Sequence, residues 1–199
     1  DMQDLIAYCA RVSNPANQKN HLTAGQLLRY MKRERHWSPF EIANLVVEVR
    51  TTRDIARQIL RHRSFNFQEF SQRYAEYTEP FVLREARLQD KKNRQSSIEV
   101  DDHDLLTQWK IHQEHVAQVA QMAYQWAIQH GIAKEVARAV LPEGMTQSRM
   151  YINGTVRSWL HYCHVRCTMD TQKEHRMIAQ QCYKILVSKV PALEEVSLE

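Results

Sequence analysis

The sequence predicts one mostly helical α+β domain, and three observations carry that reading. The strongest is the 4, 3, 4, 3, 4, 3 spacing of Leu105, Trp109, His112, Val116, Val119, Ala123 and Trp126, which draws a heptad seam along one long helix. The second is the run from Asn44 to Thr52, where Leu45, Val47 and Val49 alternate with Glu48 and Arg50, as in a strand with one polar face. The third is glycine, because the 199 residues contain only four, Gly25, Gly131, Gly144 and Gly154, each alone. That excludes the glycine-rich phosphate cradles G-x-G-x-x-G and G-x-x-x-x-G-K-[ST]. Any nucleotide must then be met by arginines and helix ends.

In chain order, Leu22 to His36 reads as a helix with Leu27, Leu28 and Met31 on one side and a basic C-terminal end that suits the helix dipole. Trp37-Ser38-Pro39 breaks it. After the strand, Thr52 or Asp54 can cap a short helix through about Arg61. Arg84 to Asp102, containing KKNRQSS, has neither apolar period nor turn logic and reads as a loop. The seam helix is capped by Asp101 or Asp102 and stops at Gly131, and its stripe reads as core or subunit packing. A short helix from Ala133 to Leu141 ends at Pro142, followed by a strand, Ser148 to Asn153, and helices from Thr155 to Arg166 and Thr171 to Lys189. With no internal repeat and no long linker, a single domain over 1–199 is expected.

Composition narrows the function classes. An apolar content of 43% with 25% charge is that of an ordinary soluble globular chain. No apolar run approaches the roughly 20 residues of a membrane span, so no membrane partner is expected. Cys9, Cys163, Cys167 and Cys182 form no C-x-x-C pair, which points away from a disulfide framework or a zinc ribbon and toward the cytoplasm. Asp1 to Ala10 shows no signal-peptide pattern.

The densest chemical cluster is Gln58-Ile59-Leu60-Arg61-His62-Arg63. Arg53, Arg57 and Arg61 are four apart and share a face if the helix reaches that far, which points to a polyanion or to a solvated basic face. The solvated face is the reading for Arg53 and Arg57. Arg61, His62 and Arg63 are consecutive cations that cannot share one helical face, so they should turn into the next loop and converge on a ligand. Glu69, Ser71 and Arg73 would project together from an extended segment, offering an acceptor, a hydroxyl and a guanidinium to one polar molecule.

Arg61-His62-Arg63 followed after seven residues by Ser71 resembles the signature of the flavin-dependent thymidylate synthases. Other pieces agree in order: Ala10-Arg11-Val12-Ser13, His36-x-Ser38-Pro39-Phe40-Glu41, Glu135-x-x-Arg138-x-x-Leu141-Pro142, and Arg157 with Arg166. The match runs from about residue 7 to 190. The resemblance implies that family's fold, a mostly helical single domain with a small central antiparallel sheet. It also implies its reaction: reductive methylation of dUMP to dTMP, with 5,10-methylenetetrahydrofolate giving the carbon, FAD the hydride and NADPH refilling the FAD. A homotetramer with active sites shared between chains goes with it.

Carried over by position, Arg61, His62 and Arg63 would hold FAD, with Ser38, Glu69, Arg157 and His161 contributing and Ser13 and His36 nearby. Thr155 and His161 stand at flavin-contact positions where the family's pattern has asparagine. Gln58, Arg61, Glu69, Phe70, Ser71, Gln72, Arg73, Arg138 and Arg166 would hold dUMP, with Arg166 matching the catalytic arginine that ionises the pyrimidine.

The residues make the same chemistry reasonable. Carbon 5 of uracil is a poor nucleophile, which a thiolate adding at carbon 6 or a cation held against the ring can remedy. No cysteine here is flanked by a recognisable base, so the arginine is expected to do it, without a cysteine nucleophile. Ser71 has no adjacent base either and is expected to bind rather than attack. Two other readings compete. Phe65, Phe67, Phe70 and Tyr74 among basic residues resemble stacking platforms for single-stranded nucleic acid, but a net charge of +4 without a long basic stripe argues against nucleic acid. His161-x-x-His164 beside Cys163 and Cys167 could hold a metal, but nothing completes a four-coordinate set, so none is expected.

Overall fold

The computed structural model describes residues 1–194. Its elements are α1 (Met2–Ala10), α2 (Ala24–Arg33), β1 (Asn44–Thr52), α3 (Arg53–Ile59), β2 (Asn66–Glu69), β3 (Arg87–Gln89), β4 (Ser97–Glu99), α4 (His103–Gln129), α5 (Lys134–Ala137), β5 (Gln147–Thr155), α6 (Val156–Arg166) and α7 (Lys173–Lys189). The class is the expected one, mostly helical with a small antiparallel sheet. One sheet has the order β1-β5-β2, and β3 pairs with β4.

The chain divides into two compact units. The first comprises Asp1–Val47, His62–Phe67 and the chain from Ile152 on; the second comprises Glu48–Arg61 and Gln68–Tyr151.

In the first unit α1 packs on α2 and α6 on α7. Ile6, Leu28, Phe40, Trp159, Tyr162 and Leu186 are wholly buried, and large apolar side chains each contribute about 1.5–3 kcal/mol when withdrawn from water. The Trp159 indole N–H donates to Leu45 O at 3.0 Å, which satisfies its polar edge. Gly154 is required by packing. A Cβ there would lie 2.3 Å from Cδ1 of Phe65, whose ring is wedged 4.5 Å from Trp159 and 5.6 Å from Tyr162 by centroid distance.

In the second unit Tyr77, Tyr124, Ala127, Ala137 and Leu141 form a core. The Tyr77 N–H donates to the Tyr124 hydroxyl at 2.9 Å. Asp102 is the cap of α4, its carboxylate accepting from the Leu105 N–H at 3.0 Å, and α4 ends before Gly131 at φ 74°.

One expectation is narrowed here and another changes. The α4 side chains buried within this chain are Gln113, Ala120, Tyr124 and Ala127, one position round from the heptad seam. Of the seam itself, Leu105, Trp109, Val116, Val119 and Trp126 stay between 39% and 56% exposed. Periodicity located an apolar stripe but could not say whether its partner lies in the same chain. The 84–102 loop, for its part, contains the β3–β4 hairpin, with Arg87 opposite Glu99, Leu88 opposite Ile98 and Gln89 opposite Ser97. Its connection is tied by Asp90, which accepts from the N–H groups of Lys92 at 2.8 Å and Asn93 at 3.2 Å. Arg84 then acts as a strut: its guanidinium reaches Asp54 at 3.2 Å and Thr52 at 2.9 Å, and its backbone N–H donates to Gln113 Oε1 at 2.7 Å.

Candidate active site

The signature cations leave their helix as the sequence predicts. α3 stops at Ile59, so Arg61 is off the face shared by Arg53 and Arg57. In the first unit the chain then turns tightly, with the Phe65 N–H donating to His62 O at 3.2 Å. That turn sets the His62 ring edge-on to Tyr162 at 5.0 Å and near His175 at 6.4 Å.

The contact that matters most there is made with the end of α6. Arg166 Nε donates to His62 Nε2 at 3.0 Å across 104 residues of sequence. An imidazole nitrogen that accepts from a guanidinium must be unprotonated, which makes His62 neutral with its proton on Nδ1. Burial first, then the Arg166 charge, lowers the His62 pKa from 6.5 to about 4. His175, wholly buried and absent from the sequence-level candidates, is lowered to about 4 for the same reasons in the same order. The signal for it was thin, one histidine on the inner face of the last helix.

The cysteines of this region are poor nucleophiles. Cys163 is buried, and its hydrogen bond with Cys167 followed by burial raises its pKa well above the thiol range. Cys182 is pushed up to about 12, chiefly by burial.

A cavity of about 410 Å³ in the first unit is lined by Lys32, Arg35, Trp37, Arg157, His161 and His164. Two expected flavin contacts, Arg157 and His161, are therefore together, and Arg157 pairs with Glu41 at 3.4 Å. Ser38 opens the 3-10 turn Ser38–Glu41 beside Trp37, while the His36 ring faces Tyr30 at 6.0 Å. Ser13 lies on the exposed turn after α1, and Arg63 is exposed. The Thr155 hydroxyl caps α6 by accepting from the Ser158 N–H at 3.1 Å.

The second unit holds another cavity, of about 390 Å³, lined by Arg53, Arg57, Gln72, Glu135, Arg138 and Glu143. Gln72 is 3% exposed, and its side-chain amide nitrogen has no hydrogen-bond partner among the described residues. A buried amide left unbonded costs about 1–3 kcal/mol. Of the two arginines expected on a solvated face, Arg57 is exposed and pairs with Glu143, while Arg53 is half-buried; both line this cavity. Their spacing of four was the available signal.

Glu69 accepts from the Ser148 hydroxyl at 2.5 Å and sits 3.5 Å from Arg53 Nη1. The projection of Glu69, Ser71 and Arg73 from one extended segment does not occur, because β2 ends at Glu69 and the chain turns. Ser71 O accepts from Tyr74 N–H and Ala75 N–H, and the Phe70 N–H donates to Arg149 O at 2.8 Å. Arg73 instead faces Glu135 at 3.4 Å, whose backbone carbonyl is 3.4 Å from Arg138 Nε. Gln58 closes α3, and its carbonyl accepts from the Arg61 N–H at 3.4 Å. Of the four aromatics of this segment, Phe65 is 6% exposed, Phe67 and Phe70 are half-buried and Tyr74 stands open at 78%.

Residues 1–192 match the family described as thymidylate synthase complementing protein. A probable flavin-dependent thymidylate synthase of Paramecium bursaria Chlorella virus 1 is 47% identical over 191 residues, covering 96% of this chain and 88% of the relative. The flavin-dependent thymidylate synthase of Synechocystis sp. is 49% identical over 193 residues, covering 96% and 87%. Among solved structures, the UMP/dUMP methylase PolB of Streptomyces cacaoi, bound with 5-Br dUMP, superposes with a TM-score of 0.81 at 28% identity, covering 96% of this chain and 87% of that one.

Proposed function

The chain belongs to the thymidylate synthase complementing protein family and is a thymidylate synthase of the flavin-dependent kind; on that premise we propose that it methylates dUMP to dTMP with Arg166 as the activating group. 5,10-Methylenetetrahydrofolate is the carbon donor in this reading and NADPH the reductant. A bound FAD supplies the hydride. The residues of the first unit suit such a group, since the cavity beside Arg157 and His161 combines an indole wall with several cations.

The observation that carries the reading is the Arg166–His62 bond. Using Nε on a neutral imidazole fixes the plane of the guanidinium and leaves its terminal N–H groups to meet a pyrimidine carbonyl and ring nitrogen. Positive charge held there lowers the cost of ionising N3 and of building electron density at carbon 5. A neutral His62 does this without adding a second cation next to Arg166. The raised pKa values of Cys163 and Cys182 speak against a thiolate route. In the second unit, Arg53, Arg138 and the unbonded Gln72 amide suit a phosphate monoester or a uracil carbonyl. Ser71 and Arg73 belong to the turn that carries Gln72.

The exposed α4 seam supports assembly into a homotetramer, and no described helix is long and apolar enough to cross a membrane. A cytoplasmic location fits the four free cysteines.

The test is direct. The purified protein should be yellow, and dUMP should speed its oxidation of NADPH and yield dTMP when methylenetetrahydrofolate is present. Arg166→Ala should lower dTMP formation by at least about 10²-fold while flavin absorbance near 450 nm persists. A colourless protein that forms no dTMP would sink the reading.

A further inference from the structure

α2 ends in a reversal that ordinarily takes glycine. The His36 N–H donates to Met31 O at 2.8 Å and the Arg35 N–H to Lys32 O at 3.2 Å, the two bonds of a Schellman ending. The residue that must turn left-handed between them is Arg35, at φ 58°. It is the one non-glycine residue with positive φ among the described residues. An L side chain is strained there and glycine is not.

Helix ending alone does not explain an arginine at this position. Lys32 and Arg33 already supply cations to the last turn of α2. Arg33 is settled as a surface residue, paired with Glu34 at 2.8 Å and lying over the Tyr30 ring at 5.4 Å. Arg35 instead lines the cavity of about 410 Å³ and meets no carboxylate among the described residues. Lys32, Trp37, Arg157, His161 and His164 line the same cavity. The lysine and two arginines on one concave wall, Lys32, Arg35 and Arg157, disfavour a metal ion and favour an anion, and the Trp37 indole adds a face for a flat ring.

We propose that Arg35, with Lys32 and Trp37, binds the multiply charged anionic end of a planar-ring ligand, cofactor or co-substrate, and that the strained backbone at Arg35 is kept because it delivers the guanidinium to this cavity. The shared chemistry is a polyanion of phosphates or carboxylates. It arises from the diphosphate of a dinucleotide or from the glutamyl tail of a reduced folate. The choice between these two rests on the enzymatic reading above; the anion site does not.

The experiment uses the full chain with Arg35→Gly and Arg35→Lys. Melting is measured without ligand, and binding of pyrophosphate, γ-linked triglutamate and uncharged riboflavin is measured by calorimetry. Arg35→Gly should melt about 2–4 °C higher than the parent, because the strain is relieved, yet bind at least one anion about tenfold more weakly with riboflavin unchanged. Arg35→Lys should keep the parent's melting temperature and part of the affinity. Loss confined to pyrophosphate assigns a dinucleotide, and loss confined to triglutamate assigns a folate tail. The proposal is overturned if Arg35→Gly binds both anions like the parent, if it melts lower, or if the parent binds neither anion at millimolar concentration. A parent that forms no dTMP yet shows the Arg35-dependent binding would refute the enzymatic reading and leave this site standing.

Discussion

Arg166 Nε and His62 Nε2 lie 3.0 Å apart, so the late helix and the signature turn share one hydrogen bond. The bond requires a neutral imidazole, and a proton on His62 Nε2 would place two cations in contact. The pH response follows. His62 and His175 both fall from 6.5 to about 4 on folding. Between those values the unfolded chain binds protons that the folded chain refuses, so stability is full above about pH 6.5 and is lost as pH falls toward 4. Thermal melts from pH 7.5 to 5 should show the decline, and His62→Gln should flatten part of it. An equally steep slope in that variant would mean that other groups set the response.

Gly154→Ala should destabilise by about 1–3 kcal/mol, because the new methyl meets a ring that four other aromatic side chains hold in place. Adding Phe65→Leu makes room. The double variant should be more stable than the sum of the two single effects by at least about 0.5 kcal/mol in a denaturation cycle. Strict additivity would show that Phe65 is not the obstacle.

Gln72→Leu separates ligand from fold. Without nucleotide the variant should match or exceed the parent's melting temperature, since it removes a buried donor that has no partner among the described residues. Its affinity for dUMP should fall by about tenfold in calorimetry. Unchanged affinity would show that the amide faces no ligand group.

The α4 seam predicts an assembly defect. Val116 and Val119 are 48% and 52% exposed in the single chain. Val116→Glu with Val119→Glu should lower the mass seen by light scattering while leaving the far-ultraviolet circular dichroism near that of the parent. Unchanged mass would place the interface elsewhere.

How much of this was legible in the sequence depended on whether the determinant was local. The long helix, its Asp102 cap and the strand from Asn44 showed in spacing and in side-chain chemistry. The consecutive cations lie beyond the last residue of α3, Ile59, as a run of three that cannot share one helical face suggests. The β3–β4 hairpin was hidden, since three-residue strands carry too little alternation to stand out from a polar loop. The spacing of four shows that Arg53 and Arg57 share a face, but not that this face borders a cavity. His175 and Gln72 owe their character to burial by distant segments, which no local pattern records.

The division of the chain also bears on the order in which the protein can be made. The first unit is assembled from three stretches, and its middle piece is only His62–Phe67. During synthesis from the N-terminus those six residues emerge long before Arg166, their hydrogen-bonding partner 104 positions later. The whole of the second unit, 48–61 and 68–151, precedes Arg166 in the chain and is synthesised before it. Closure of the His62 turn onto the late helix is therefore a high-contact-order event, which cannot begin until α6 has been made. A chain released just short of α6 would have the second unit's whole sequence, yet neither Arg166 nor the Trp159 and Tyr162 rings that pack on Phe65.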